Sequence, residues 1–420
     1  MLLDFMVELY NRKSTVFGLI FICGLALTMV VAIIAPRFLA FWPGIIGTVS
    51  LIAYPFVFNE KPEFPKTIFL WALAILFLAG ASSLWAIDGG YVVSRTLKVA
   101  LIILPGIALV AVAQSIPLAT VRPYLKIMTG IAFGAALVCS IDMAGNFPFH
   151  RLTHGMAQGE EVAGATLNRS VIALLALFFT MIGISGTYKN KILQGGLFTV
   201  FGFLLFLTQS QSAQLGFILA TLCYFFFPYS HKKIWMAFTA ILVIGVLSAP
   251  FLAIGMFDHF AATVTKMPFL GQGAGFGGER LEIWDKIGRY ALKQPFYGFG
   301  MEATRMITDF DTMQIYREGI TELHPHNFAI QLWIEFGLIG ALFGSSLLVF
   351  LTNKFSRLNF NQARIALPCF MILLTAISFG YGLWQSWLIG LIMVTISIAL
   401  LSMRLYENNQ TINKEIKHDG

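Results

Sequence analysis

Two histidines flank a proline, His324-Pro325-His326, just ahead of a long apolar run, and Asn327, Gln331 and Glu335 follow at four-residue intervals. An imidazole gives or takes a proton near neutral pH. Residues four apart on a helix share a face, so the amides and the carboxylate form one polar stripe below the histidines. Pro325 disfavours helix at His324, so the helix starts near Asn327, a residue type suited to cap it. Polar groups in such a run ordinarily face a cavity or a partner. His324 and His326 have no third ligand at a metal-binding spacing, and no H-E-x-x-H occurs, so no metal site is expected. Gly273-Ala-Gly-Phe-Gly-Gly278 fits G-x-G-x-x-G, but no strand precedes it and no P-loop lysine follows. It reads as a flexible or helix-capping turn rather than a dinucleotide site.

The elements that must position these groups are apolar helices. The 420 residues are 57% hydrophobic and 12% charged, against about 25% charge in ordinary soluble domains. Lipid is the implied solvent, and disorder, a collagen-like fibre and a disulfide scaffold are excluded. Cys23, Cys139, Cys223 and Cys369 all lie in apolar runs and carry no redox information. About 20 apolar residues cross a bilayer core as a helix. That length predicts twelve spans, near 14–36, 37–58, 66–86, 93–116, 122–145, 168–187, 191–209, 212–230, 234–257, 327–351, 364–383 and 385–403. The runs are too long and continuous for barrel strands, and the first is too long for a cleaved signal. The expected architecture is an all-α polytopic membrane protein. Residues 1–257 hold spans one to nine, 258–325 form one large loop, 326–403 hold spans ten to twelve, and 404–420 are a tail.

With both termini on one side, that side collects 16 of the 28 Lys and Arg residues, and the opposite side collects 5 outside the large loop. The positive-inside rule then puts the termini in the cytoplasm and exports the loop. The net charge of +7 is therefore mostly a topology signal, with no nucleic-acid partner implied. His150, His154, His259, His324 and His326, five of the seven histidines, fall on the exported face. Within the loop, residues 279–293 read as an amphipathic helix. Glu282/Lys286 and Asp285/Arg289 stand in the favourable i,i+4 order, and Leu281, Trp284, Ile287 and Ala291 share another face. Such a helix would ordinarily lie on the membrane surface with its polar face solvated.

His326-Asn327, followed by Gly337 and Gly340, matches the H-[NSQ]-x9-G-x-x-G pattern of the O-antigen ligase and polymerase superfamily. Arg280-Leu-Glu-Ile-Trp284 with Pro295-Phe-Tyr-Gly-Phe-Gly300 resembles its R-x-x-x-W…P-x-x-G-x-G loop signature. Asn168-Arg169 is similar to its Asn/Arg position, and Thr208-Gln-Ser210 occupies its T-x-S-R stretch, with Gln211 where the family has Arg. The motifs span about 160–345, and the topology extends the likeness to the whole chain.

The resemblance implies a GT-C-like glycosyltransferase of the bacterial inner membrane with a periplasmic active site. It would act in lipopolysaccharide biosynthesis, moving a polysaccharide (O-antigen) from undecaprenyl pyrophosphate to lipid A-core without metal, nucleotide or other cofactor. The partners would be the lipid-linked donor, the lipid A-core acceptor and membrane lipids. Arg169 and Arg280 would bind the pyrophosphate, with Arg289 and Arg305 as further candidates, because Arg offers permanently charged, forked donors. His326 would be the general base. His324, Asn327 or Glu335 would orient or replace it, Trp284 would support the site, and His324 stays open as the base. Two other readings within the superfamily are an O-antigen polymerase and a protein O-glycosylating enzyme. A transporter or flippase is the reading from another class, but no internal repeat appears and Asp142 and Glu335 are the only acidic residues expected within spans.

Overall fold

The computed structural model describes residues 2–157, 160–264, 278–307 and 324–418. Among them every regular element is helical. The first half contains α1 (Leu2–Ile34), α2 (Trp42–Phe58), α3 (Lys66–Ala81), α4 (Gly89–Ser115), α5 (Leu118–Val121), α6 (Leu125–Ala144), α7 (Pro148–His154) and α8 (Asn168–Thr187). The second contains α9 (Lys191–Leu207), α10 (Gln211–Phe226), α11 (Lys232–Leu247), α12 (Ala249–Val264), α13 (Gly278–Ala291), α14 (Phe328–Phe355), α15 (Phe360–Phe379) and α16 (Ser386–His418).

Among the described residues, eight helices are long and apolar enough to cross a membrane, or nine spans if the bent pair α11–α12 counts as one. The expected runs at 37–58, 191–209 and 212–230 fall on the shorter apolar helices α2, α9 and α10. One expected span needs correction. Residues 234–257 are not a single straight helix, because the chain bends by 74° between α11 and α12. Ser248 leaves helical geometry there, and Pro250 sits in the first turn of α12, where its missing N–H breaks no helical bond. The motif at 273–278 lies outside the described residues except for Gly278.

Helix α8 is the axis of the bundle. It is buried continuously from Ser170 to Ser185 and packs against α1, α6, α9, α15 and α16. A helix apolar on every side has to be enclosed. The outer helices instead turn large apolar side chains outward, including Phe77, Ile192 and Phe206, the pattern expected where lipid is the solvent.

Helix α13 docks onto the bundle rather than lying free with a solvated polar face. It packs against α12 and α14 and buries Leu281, Ile283, Ile287 and Ala291. Glu282 and Asp285 are also buried and paired, Glu282 with Lys286 at 3.3 Å and Asp285 with Arg289 at 2.8 Å.

The turn 295–300 that follows is spliced into α14. At Gly337 the helix breaks, with φ +59 and ψ −146. The turn supplies partners for the released backbone groups. Leu338 and Ile339 donate to the carbonyls of Pro295 and Phe296 at 2.7 and 3.2 Å, and Phe299 and Gly300 donate to Ile334 and Glu335 at 2.9 and 2.8 Å. Gly298 and Gly337 allow the two backbones to meet. A Cβ on Gly298 would stand 2.6 Å from the Glu335 carbonyl carbon, and one on Gly337 would stand 2.5 Å from that of Phe296. The glycines of the two sequence motifs therefore serve one joint.

Candidate functional site

His326 sits at the start of α14 in the left-handed region, φ +54, which a non-glycine residue holds only when its surroundings impose it. Asn327 is one such restraint, capping α14 by accepting from the amides of Ala329 and Ile330 at 3.0 and 3.2 Å. Gly380, in the turn between α15 and α16, is another, its carbonyl lying 2.8 Å from His326 Nδ1. A carbonyl only accepts, so in the neutral ring Nδ1 carries the proton and Nε2 carries the lone pair. The His324 ring lies beside it, with centroids 4.2 Å apart. Burial pushes the His324 pKa down to about 3, with the positive charges of His326, Arg305 and Arg280 adding to the effect. His324 is therefore neutral at physiological pH.

Helix α13 holds this corner at two points. Trp284 Nε1 donates to the Pro325 carbonyl at 2.9 Å, and Arg280 Nη1 donates to the carbonyl of Phe379 at the end of α15. Tyr381, two residues on, is half-buried, and its hydroxyl is pushed up to about 12 by desolvation, against the opposing charges of Arg169 and Arg280. Arg169 is the second residue of α8, and its Nε is buried with no hydrogen-bond partner among the described residues. Arg280 and Arg305 thus act on the His324 ring, while Arg169 and Arg280 both act on the neighbouring Tyr381 hydroxyl.

The other candidates are placed differently. Glu335 is fully buried in α14 and accepts from Gln331 at 2.7 Å and from Trp384 Nε1 at 2.6 Å, while Gln331 accepts from the Leu383 amide at 3.0 Å. The polar stripe of α14 thus anchors the 380–385 turn, and Glu335 stands as a structural acceptor. Arg289 points to Asp285 and Asp258, which clips α13 to α12. Arg305 pairs with Glu302 at 3.2 Å. Glu302, which sequence reasoning missed, is buried and also accepts from Tyr91 at 2.6 Å and Arg95 at 2.8 Å, both on α4. An isolated acid in a loop shows no periodicity to mark it.

His150 and His154 stack on each other with centroids 4.0 Å apart, and His259 bonds the carbonyl of Gly255 in its own helix. Asp142 caps α7 by accepting from the amides of Phe149 and His150. Thr208 and Ser210 build the turn before α10, where Ser210 is the N-cap and Gln211 the first helical residue. Among the described residues, no group of three or more His, Cys, Asp or Glu side chains is placed to share a metal ion.

Residues 196–344 match the model of the family described as O-Antigen ligase. Over this segment the chain resembles the O-antigen ligase family. The segment holds the 295–300 turn, α13 and the His326–Gly340 motif, while Arg169 lies outside it. Among curated sequences, a "Putative polysaccharide ligase" of Rickettsia conorii is 29% identical over 116 residues, 26% of this chain and 28% of that protein. One of Rickettsia typhi is 23% identical over 201 residues, 46% of this chain and 47% of that protein. The chain thus spans less than half the length of these relatives. No solved structure matches it.

Proposed function

We propose that this membrane protein transfers a polysaccharide from undecaprenyl pyrophosphate to lipid A-core on the periplasmic side of the bacterial inner membrane. The observation that carries this reading is the turn at Gly380-Tyr381. Gly380 holds His326 by its carbonyl, and the hydroxyl of Tyr381 feels Arg169 and Arg280 together. One two-residue turn thus links a proton acceptor to the charges of two arginines. The large loop before α14 is read as exported, which places that turn beside the donor's headgroup while the prenyl tail lies between helices.

In the proposed step the acceptor sugar hydroxyl attacks the anomeric carbon of the lipid-linked glycan. The bond from that carbon to the pyrophosphate oxygen breaks, and its electron pair leaves with the pyrophosphate. The hydroxyl proton passes to His326 Nε2, a transfer typically contributing ~10²–10⁴-fold. Arg169 and Arg280 take up the charge growing on the leaving group, each contributing on the order of several kcal/mol in a partly dry site. The pyrophosphate is already a good leaving group, so neither nucleotide nor metal is required.

The carboxylates expected within spans argue against a transporter. Asp142 caps a helix and Glu335 accepts two side-chain hydrogen bonds, so both have structural work. The test is purified protein with lipid-pyrophosphate glycan and lipid A-core, without ATP or metal. Transfer to lipid A-core supports the reading. Transfer to a second lipid-linked glycan or to a protein assigns one of the other superfamily activities. No transfer at all overturns it.

A further inference from the structure

His324 is neutral beside His326, and its hydrogen bonds determine which of its nitrogens carries the proton. Trp387 Nε1 donates to Gln385 Oε1 at 2.7 Å. An indole nitrogen only donates, which fixes the amide so that Gln385 Nε2 is the group facing His324 Nε2 at 3.1 Å. That amide nitrogen also only donates. His324 Nε2 must therefore accept, and the ring proton resides on Nδ1. The resulting Nδ1–H is buried and has no partner among the described residues.

The arrangement is built rather than incidental. Trp387 is buried, Gln385 ends the turn before α16, and Gly382 packs flat on the ring, where a Cβ would lie 3.0 Å from His324 Cγ. The charged groups acting on the ring are His326, Arg305 and Arg280, all cationic or able to become so. A buried N–H is normally satisfied, and one in this field is suited to an anionic oxygen.

Resting on the proposed function, we propose that His324 is a positioning residue whose Nδ1–H donates to a pyrophosphate oxygen of the lipid-linked substrate. Gln385 and Trp387 hold it in the donating tautomer. His324 and His326 then divide the work, one orienting the donor and the other accepting the proton.

The test uses the full chain labelled with ¹⁵N-histidine, the His324 signals being those lost in His324→Asn. Nitrogen shifts should report a neutral ring protonated at Nδ1. Farnesyl pyrophosphate, a short polyprenyl pyrophosphate, should move the Nδ1–H resonance downfield. An Nε2–H or doubly protonated ring overturns the proposal. So does an Nδ1–H resonance indifferent to farnesyl pyrophosphate, which would assign the donor to buried water.

Substitution supplies an independent arm. Asn at this position presents an amide N–H where Nδ1 stands, whereas Gln presents one where Nε2 stands. His324→Asn should keep KM for the donor close to wild type, and His324→Gln should raise it about ten- to a hundredfold, the loss of one hydrogen bond to a charged oxygen. Equal collapse of kcat in both variants would make His324 the base and sink the idea. The spectroscopic arm needs no turnover. If wild type transfers no glycan while farnesyl pyrophosphate still shifts Nδ1–H, the transferase reading fails and the pyrophosphate site stands.

Discussion

Trp284 and Pro325 are joined by a 2.9 Å hydrogen bond between the indole N–H and the proline carbonyl. The residue it grips lies between the two histidines, so the seating of α13 and the position of the imidazoles are set together. Trp284→Phe keeps most of the buried ring and removes the donor. Glycan transfer should fall about tenfold to a hundredfold, since small misplacements of a catalytic group have effects of that size. Protein yield and thermal stability should stay near wild type. An unchanged rate would separate α13 from the histidines.

Arg169 and Arg280 should respond differently to truncation. Arg280 bonds the Phe379 carbonyl, so Arg280→Ala should lower both turnover and thermal stability. Arg169 presents a buried Nε with no partner among the described residues, so Arg169→Ala should raise KM for the lipid-linked donor without loss of stability. Arg169→Lys should not restore the wild-type KM, because a point charge does not replace a planar fork. Parallel assays of transfer and detergent-solubilised melting distinguish the two patterns.

Gly337→Ala should destabilise the protein by about 2 kcal/mol or more, from left-handed strain and forced separation of two backbones. The added Cβ would stand 2.5 Å from the Phe296 carbonyl carbon. Hydrogen exchange should accelerate at Phe299 and Gly300, whose amides bond into α14. Unchanged exchange at those amides would contradict the joint as drawn.

His324 also makes stability depend on pH. Its pKa falls from 6.5 to about 3 on folding. Above 6.5 both folded and unfolded chains are neutral at this ring, and its contribution is complete. As pH drops from 6.5 towards 3 the unfolded chain binds a proton that the folded chain refuses, so stability declines. The part of that decline due to His324 should vanish in His324→Asn, as measured by denaturation at pH 7 and pH 5.

Much of this site follows from local rules that operate within a single stretch of sequence. The Asn327 cap, the two i,i+4 ion pairs and the helix α13 each depend on residues within one or two turns of one another, and each stands at the expected place. Features made by distant residues are not legible in that way. His324 meets Gln385 across 61 positions, and Arg95 meets Glu302 across 207. No pattern in either segment names its partner. The bend at Ser248 lies between these cases. Pro250 marks it, but an unbroken apolar run across the bend masks the signal.

The splice between the 295–300 turn and α14 also bears on how substrate enters. Lifting the base of the loop away would strand four backbone hydrogen bonds at once, two from each partner. That base is therefore a fixed wall, hinged nowhere along its seam. On the proposed function, a long-tailed donor would enter sideways from the bilayer, with the helices rather than this seam giving way.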